Sequence, residues 1–232
     1  MKNSSDDRFA GLMRRASIGE SWWHHHYIVL SFLDRWIAST AYPYVTGDVL
    51  DYGCGAQPYR HFFGPKYRRY VGADVAPAHG VELDILFTPG QPLPLADESF
   101  DTILSTQTLE HVQDVDLYMS ECHRLLRPGG HLILTVPMQW RMHEQPYDYW
   151  RFTRYGVLAL LSRVGLSVCD LSPCGGAWAL VGQVINSHLS ETGRGCRLTY
   201  GLVNCLALWA DGLMKDYVET IGWMCVARRP LA

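Results

Sequence analysis

The chain has 232 residues, of which 48% are hydrophobic and 19% are charged, and its formal net charge is -3. This length and composition predict a single ordered α/β domain with additions. The small negative charge does not supply the broad positive field that duplex nucleic acid requires, so nucleic acid is not an expected partner.

The seven cysteines are odd in number and include no C-x-x-C pair. This pattern predicts reduced thiols in a cytoplasmic protein, not a disulfide framework or a common zinc site. Residues 1–7 are polar and unlike a signal peptide, and the uncharged stretch 173–190 carries too many polar side chains for a stable membrane span. We therefore expect no membrane-spanning segment.

Residues 1–47 are predicted to form an N-terminal helical segment ahead of the main domain. Apolar residues recur every three or four positions between Glu20 and Ala38, which indicates an amphipathic helix. The predicted apolar face consists of Trp23, Tyr27, Leu30, Leu33 and Ile37. One interpretation is a lid, with Trp23 and Tyr27 contacting the substrate, and the other is packing into the core.

Three adjacent histidines, His24, His25 and His26, lie on the same predicted helix. Successive side chains on a helix point about 100° apart, so these three cannot converge on one metal ion. We expect surface or packing roles for them and no metal site in the protein.

A β-α alternation follows, which predicts a parallel sheet covered by helices on both faces. The predicted strands are residues 48–52, 70–73, 82–86, 100–105, 131–136, 167–171 and 220–227. The predicted helices are residues 58–63, 115–126, 153–164, 177–189 and 198–214. The last strand alternates in polarity, which is typical of an antiparallel edge strand.

The stretch from Val49 to Pro58 contains an acidic residue, Asp51, followed by Gly53 and Gly55. A strand that ends in such a loop can bring its backbone amides close to a bound molecule. Dinucleotide binding needs a third glycine in G-x-G-x-x-G, and Pro58 stands in its place, which disfavours an NAD-dependent oxidoreductase. Asp74, about twenty residues further on, suits a ribose diol. These residues together indicate a nucleoside without a pyrophosphate.

Four motifs then occur in the order found in one enzyme family. They are Val49–Gly55, Gly72–Asp74, the stretch Leu93–Asp101 leading to Leu109–Val112, and Leu125–Gly130. Over roughly residues 48–170 the sequence resembles the class I S-adenosylmethionine-dependent methyltransferases, specifically the methyltransferase type 11 domains. The resemblance implies a Rossmann-like, seven-stranded, mostly parallel sheet with an antiparallel last strand, spanning residues 48–232. It also places a helical addition at about 176–215.

The resemblance implies S-adenosyl-L-methionine as cofactor and S-adenosyl-L-homocysteine as product. Asp51, Gly53 and Gly55 would surround the methionine portion, and Asp74, with Val75 beside it, would accept both ribose hydroxyls. Asp84 and Ile85 would lie near the adenine, and Thr106 and Gln107 would close over the methionine portion. Gln57 replaces the family's third glycine, so the loop is bulkier and Tyr59 is predicted to reach the cofactor or the acceptor.

A hydroxyl acceptor must lose a proton during methyl transfer, and histidine is the natural group to receive it. His111 and His143 follow the fourth and fifth predicted strands, at the sheet edge where ligands of open α/β folds bind. They are the candidate catalytic residues, although His111 also suits a structural role. The predicted acceptor-binding residues are Glu144, Tyr147, Tyr149, Trp150 and Arg151. The alternative for these loop residues is a polar network that braces the loop.

The sequence therefore predicts a methyltransferase acting on a small-molecule acceptor such as a sugar, a glycolipid head group or a secondary metabolite. Oxygen is the favoured acceptor atom, and nitrogen and carbon are the less favoured alternatives. The alternative is a catalytically inactive protein that binds S-adenosylmethionine or S-adenosylhomocysteine as a scaffold or sensor. The two apolar helices in residues 177–214 either wall the acceptor pocket or bury a homodimer face.

Overall fold

The computed structural model describes residues 22–78, 80–214 and 217–231. Its core is a seven-stranded sheet in the order β3-β2-β1-β4-β5-β7-β6. The strands are β1 (Gly47–Tyr52), β2 (Tyr67–Asp74), β3 (Ile85–Leu86), β4 (Phe100–Thr106), β5 (Leu126–Pro137), β6 (Ser167–Pro173) and β7 (Gly222–Arg228). Neighbouring strands from β3 to β5 pair in parallel, so their carboxyl ends meet at one edge of the sheet.

The position of β7 differs from the sequence expectation in one respect. The strand is antiparallel as predicted, but it lies between β5 and β6, so β6 is the edge strand and the prediction of an edge position for β7 is wrong. Residues 222–227 of β7 are all buried, whereas β6 begins with three exposed residues. A strand buried on both faces has a continuous run of apolar and small residues, and the sequence of β7 has that run.

Within the described residues, five α-helices cover the two faces of the sheet. They are α1 (Tyr27–Trp36), α2 (Val115–Leu125), α3 (Arg154–Arg163), α4 (Ala177–Glu191) and α5 (Arg197–Leu213). Helices α2 and α3 pack on one face and α1, α4 and α5 on the other. Asp114 and Thr153 cap α2 and α3 by accepting hydrogen bonds from the amides of Leu117 and Gly156. The predicted helix at residues 58–63 is a single 3-10 turn, Arg60–Phe63.

Helix α1 packs into the core. Its buried residues include Ile28, Leu33 and Trp36, which contact one face of the sheet and the helix pair α4–α5. The helix begins at Tyr27, and a π-helical turn, Ile37–Ala41, follows it. Residues 20 and 21 of the predicted helix lie outside the described part of the chain. The arrangement supports the core-packing interpretation of this segment.

Helices α4 and α5 form a tight antiparallel pair. A Cβ at Gly182 would lie 2.3 Å from the Cβ of Ala207, so glycine allows the two backbones to approach closely. Asp211 of α5 accepts hydrogen bonds from the amides of Gly176 and Ala179 and thereby caps the start of α4. Large apolar side chains on the outer face of the pair are exposed, among them Leu202 (60%) and Trp209 (65%).

Among the described helices, none is long and apolar enough to cross a membrane. All seven cysteines lie in the described part of the chain and are free thiols, as the sequence predicted. Four of them are buried, and burial raises the pKa of the Cys174 thiol to about 12.

Candidate functional site

The glycine loop after β1 is fastened to the neighbouring strand. The amides of Gly53 and Cys54 donate to the carbonyl oxygen of Ala73, at 2.8 and 3.1 Å. Gly53 has a φ of +78°, and a Cβ there would lie 2.1 Å from Cγ2 of Thr108. Gly55 has a φ of +49°, but no atom lies within 4 Å of the place a Cβ would take. The loop is therefore closed on its inner side at Gly53 and open at Gly55.

This difference predicts that an alanine substitution at Gly53 mainly lowers stability, whereas one at Gly55 mainly lowers cofactor affinity. Gly53→Ala should destabilise the protein more than Gly55→Ala, by about 1 kcal/mol or more, because it adds a collision with Thr108 to the cost of the left-handed backbone. Urea unfolding of both variants measures the difference. Gly55→Ala should instead show the larger loss of cofactor affinity relative to its stability loss. Equal unfolding free energies for the two variants would contradict the placement of Thr108.

Asp74 at the end of β2 is held by two backbone amides. Its Oδ2 accepts from Gly55 at 2.7 Å, and its Oδ1 accepts from Val75 at 2.6 Å. Each carboxylate oxygen has a second lone pair, so both can still accept a hydroxyl proton from a diol. Val75 is 48% exposed, and Leu86 at the end of β3 is 66% exposed. These two side chains place apolar surface beside the carboxylate, which fits an adenine ring.

The remaining predicted cofactor residues occupy different environments. Asp84 accepts a hydrogen bond from the Gly72 amide at 2.8 Å and lies beside β2, and Ile85 follows it in β3. Thr106 ends β4, and Gln107 has a φ of +52° and donates through its amide to the carbonyl of Thr135. Tyr59 is 2% exposed and packs in the core cluster that contains Phe63.

Asp51 is buried at the carboxyl end of β1, with a relative exposure of 2%. Its Oδ2 accepts a hydrogen bond from the Tyr70 hydroxyl at 2.5 Å. Burial raises the pKa of Asp51 to about 7, and the nearby charge of Asp74 acts in the same direction. Burial likewise raises the pKa of Tyr70 far above its usual range. This carboxyl group is therefore largely protonated in the folded protein at mildly acid pH.

Asp51→Asn should change how stability depends on pH. Between about pH 4 and 7 the folded wild type holds a proton on Asp51 that the unfolded chain releases, so this group's contribution falls as pH rises. Asparagine keeps an acceptor for Tyr70 and has no charge to bury. The variant should match wild type near pH 4 and exceed it at pH 8 by up to about 4 kcal/mol. Urea unfolding at both values tests this, and a difference that is the same at both pH values would contradict it.

The loop that follows β5 folds back over the turn after β4. The amides of Tyr149 and Trp150 donate to the carbonyl oxygen of Glu110, at 2.9 and 3.2 Å. The Trp150 indole donates to the carbonyl of Val112, at 2.9 Å. Arg151 forms a bidentate pair with Asp148 and donates to the carbonyls of the loop. The guanidinium holds the pKa of Asp148 well below its usual range. Arg151 and Trp150 thus brace the loop.

The bracing brings two histidines together at the carboxyl edge of the sheet. The rings of His111 and His143 lie with centroids 4.7 Å apart in an edge-to-face arrangement. Nδ1 of His111 lies 2.9 Å from the carbonyl oxygen of Tyr147, so this nitrogen carries a proton and donates. Its Nε2 points towards two carboxylates, 3.4 Å from Oε2 of Glu144 and 3.9 Å from Oε1 of Glu110.

Glu110 is fully buried beneath these rings, and neither of its carboxylate oxygens has a hydrogen-bond partner. Burial raises the pKa of Glu110 to about 8. Burial also raises the pKa of Glu144; the charge of His111 opposes this effect, and the charge of Asp74 adds to it. Burial lowers the pKa of His143 below its usual value. Nδ1 of His143 lies 3.3 Å from Asp148 but is not aligned for a hydrogen bond.

The other predicted acceptor residues are more exposed. Tyr147 is 62% exposed and Tyr149 is 41% exposed, both in the loop beside His111. Trp23 is 41% exposed, and its ring covers Gly201 of α5, where a Cβ would lie 2.3 Å from it. Tyr27 contacts the ring of Trp22. Trp23 and Tyr27 are thus placed against the helix layer, and their contact with an acceptor stays a prediction.

Sequence reasoning missed two residues that the structure places here. Glu110 was noticed only as part of a motif, although a carboxylate between Leu109 and His111 in an apolar turn is a signal of a buried charge. The sequence identifies Leu86 only as the end of a strand.

A small cavity of about 30 Å³ lies between α1 and Gln107, with Val29, Leu33 and Trp140 in its wall. Helix α1 therefore reaches the same sheet edge as the glycine loop.

Comparisons with known proteins agree with this geometry. A family model described as a methyltransferase domain matches residues 50–134. A ubiquinone biosynthesis O-methyltransferase of Cereibacter sphaeroides is 25% identical over 78% of this chain and 93% of its own length.

Two solved structures share the fold. The [4+2]-cyclase SpnF has a TM-score of 0.59 and 20% identity, covering 87% of this chain and 82% of its own. The 1,6-didemethyltoxoflavin-N1-methyltransferase of Burkholderia thailandensis, with bound 1,6-didemethyltoxoflavin and S-adenosylhomocysteine, has a TM-score of 0.56 and 16% identity. The alignment covers 97% of this chain and 87% of that one.

The sheet order and the glycine loop define the Rossmann-like fold of class I methyltransferases. The methyltransferase domain match begins in β1 and ends in β5, and together with the O-methyltransferase relatives it supports a class I S-adenosylmethionine-dependent methyltransferase. Its cofactor is S-adenosyl-L-methionine, and the product of that cofactor is S-adenosyl-L-homocysteine. The open face at Gly55 and the unused lone pairs of Asp74 fit this molecule.

Proposed function

We propose that this enzyme transfers a methyl group to a hydroxyl oxygen of a small molecule, in the class of sugars, glycolipid head groups or secondary metabolites. The observation that carries the proposal is the pair of histidines at the carboxyl edge of the sheet, with the Glu144 carboxylate 3.4 Å from Nε2 of His111. A neutral amine already has a free lone pair and can lose its proton after methyl transfer, so it depends less on such a group at the moment of transfer. The Cereibacter sphaeroides relative is named an O-methyltransferase, which also supports oxygen as the acceptor atom.

The residues proposed to hold the cofactor lie along the ends of β1 to β4. Bound S-adenosylmethionine supplies a methyl group on a positively charged sulfur. Asp74 would accept the ribose hydroxyls, and Val75 with Ile85 would line the adenine. Gly53, Gly55, Asp51, Thr106 and Gln107 would surround the methionine portion, with Asp84 beside the adenine and Tyr59 beneath the loop. None of these roles needs the loop to rearrange, because the amides that hold Asp74 already fix its orientation.

The residues proposed to hold the acceptor lie on the loop after β5. Glu144, Tyr147 and Tyr149 would contact the polar groups and rings of the acceptor, with Trp150 and Arg151 keeping the loop in place. Trp23 and Tyr27 would close the site from the side of α1. His143, with His111 beside it, would accept the proton that leaves the acceptor hydroxyl. Enclosure by this loop would also exclude water from the transfer.

The test is a reaction with S-adenosylmethionine that carries a ¹³C-labelled methyl group. The protein is incubated with panels of hydroxylated and amino acceptors, and S-adenosylhomocysteine is measured by mass spectrometry. The methyl carbon of each product then distinguishes a methoxy from an N-methyl group by its ¹³C chemical shift. We expect a methoxy product from at least one hydroxylated acceptor. Only N-methyl products would overturn the oxygen assignment, and cofactor binding without turnover across both panels would favour a scaffold or sensor.

A further inference from the structure

On the acceptor side of the site, one buried carboxylate has no hydrogen-bond donor among the described residues. Glu110 is 0% exposed, and both of its side-chain oxygens lack a hydrogen-bond partner. A buried carboxylate without donors is costly unless it is neutral or meets a positive charge. The charge of Arg151 acts on Glu110, but this guanidinium donates its hydrogen bonds to Asp148 and to loop carbonyls. Among the described side chains, none donates a hydrogen bond to Glu110.

Three side chains around this carboxylate have the chemistry of metal ligands. Glu110, His111 and His143 each offer one ligand atom, and these atoms all lie within 4.8 Å of one another. Ligand atoms that share a tetrahedral zinc ion at about 2.1 Å lie about 3.4 Å apart. The 3.9 Å between Nε2 of His111 and Oε1 of Glu110 is close to that distance. A contraction of up to about 1.4 Å at the widest pair would complete the set.

The surroundings favour a ligand role for His111. Its Nδ1 donates to the carbonyl of Tyr147, which leaves the lone pair of Nε2 pointing into the cluster. Metal-bound histidines in proteins are oriented by this kind of hydrogen bond from the other ring nitrogen. The side chains of His111 and His143 are 16% and 17% exposed, so an ion can enter from the acceptor side. Two imidazoles with one carboxylate suit Zn²⁺ better than Mg²⁺.

We propose that Glu110, His111 and His143 bind one divalent transition-metal ion of the zinc class, with an open position facing the acceptor. This inference rests on the proposed function. It assigns His143 the role of a metal ligand, whereas in direct proton transfer His143 is the base. Three protein ligands and one open position are typical of catalytic zinc sites.

With the ion in place, the acceptor hydroxyl oxygen takes the open position. Coordination weakens the O–H bond, and the proton passes to the carboxylate of Glu144, whose side chain is 32% exposed and can release it to water. The oxygen then forms the bond to the methyl carbon as the sulfur–methyl bond breaks. The electron pair of that bond stays on sulfur, which becomes neutral.

The experiment measures metal binding directly. Purified protein is stripped with a chelator and titrated with Zn²⁺ by calorimetry, and with Co²⁺ by visible absorption. We expect one Zn²⁺ per chain and the intense absorption of four- or five-coordinate Co²⁺. Glu110→Gln and His143→Ala should each weaken binding about 10-fold or more, since each removes one ligand. Circular dichroism of each variant establishes that it is folded.

The adjacent histidines His24 and His25 provide the matched control, because they are the other place where Zn²⁺ would bind adventitiously. The double variant His24→Ala/His25→Ala should bind Zn²⁺ as wild type does. The proposal is overturned if wild type binds no Zn²⁺, or if binding is lost in the control and kept in the Glu110 and His143 variants. Should a variant be unfolded, the Co²⁺ spectrum of wild type decides alone, and a weak six-coordinate spectrum refutes the site.

The outcome also separates this inference from the proposed function. Metal binding needs neither cofactor nor acceptor, so Zn²⁺ bound at the cluster without methoxy product would refute only the function. Methoxy product from metal-free protein that binds no Zn²⁺ would refute only the metal site.

Discussion

His143→Ala is expected to lower kcat by about 10²-fold or more. His143 lies with His111 at the sheet edge where the acceptor hydroxyl is proposed to bind, and its ring is held in the loop that Arg151 braces. Without the ring, the site loses the group that either accepts the hydroxyl proton or holds the bound metal ion. The affinity for S-adenosylmethionine should change less than a fewfold, because the cofactor is proposed to bind at the ends of β1 and β2.

Turnover is measured as S-adenosylhomocysteine formed at saturating cofactor and acceptor, and affinity by calorimetry with S-adenosylhomocysteine. His188→Ala is the matched control, since it removes an exposed histidine of α4 away from this site. A turnover for His143→Ala within a fewfold of wild type would remove this residue from the reaction. Equal losses in the two variants would mean that the effect is not specific to the site.

The order of the motifs was enough to predict the central sheet. Gly53 directly follows β1, and Asp74 ends β2, as the motifs predict. Gly129, within β5, has a φ of +84°, and a Cβ at Gly130 would lie 2.9 Å from two backbone oxygens. Local features of this kind can be predicted from the sequence because they depend on few neighbouring residues.

Features that depend on distant residues were not predictable in the same way. Asp211 caps a helix that begins 35 residues earlier in the chain, and no spacing rule connects the two. The position of β7 depends on which strands flank it, and no residue within the strand specifies those neighbours. The assembly of Glu110 with His143 likewise depends on how the loop after β5 folds back. Sequence alone offered the histidines separately and gave no reason to join them to a carboxylate.

The exposed apolar face of α4 and α5 was also not predictable from the sequence. Helical spacing predicted both helices, and the structure gives their bounds as Ala177–Glu191 and Arg197–Leu213. Periodicity cannot tell an inward from an outward apolar face when a helix is apolar on most sides. The buried side carries small and polar residues, including Gly182, Asn186 and Asn204, whereas large residues such as Trp209 point outward. The face that contacts the core is therefore the less hydrophobic one.

Asp74→Ala is expected to raise the dissociation constant for S-adenosylhomocysteine by about 10- to 100-fold, the cost of losing charged hydrogen bonds to the ribose. Calorimetric titration measures it, and Glu82→Ala provides a control that removes an exposed carboxylate between β2 and β3. An unchanged constant would refute the ribose role. A simple loss of affinity is not sufficient to establish that role, because Asp74 also holds the amides of Gly55 and Val75.

A double-variant cycle separates the two effects of Asp74. Wild type and Asp74→Ala are each titrated with S-adenosylhomocysteine and with its 2′-deoxy analogue. If the carboxylate binds the ribose, the missing hydroxyl should weaken binding to wild type and have little effect on binding to the variant, which gives a coupling energy of about 1 kcal/mol or more. If the carboxylate only shapes the glycine loop, both proteins lose the same affinity. Coupling near zero would then assign Asp74 to the loop, and the ribose would need another partner.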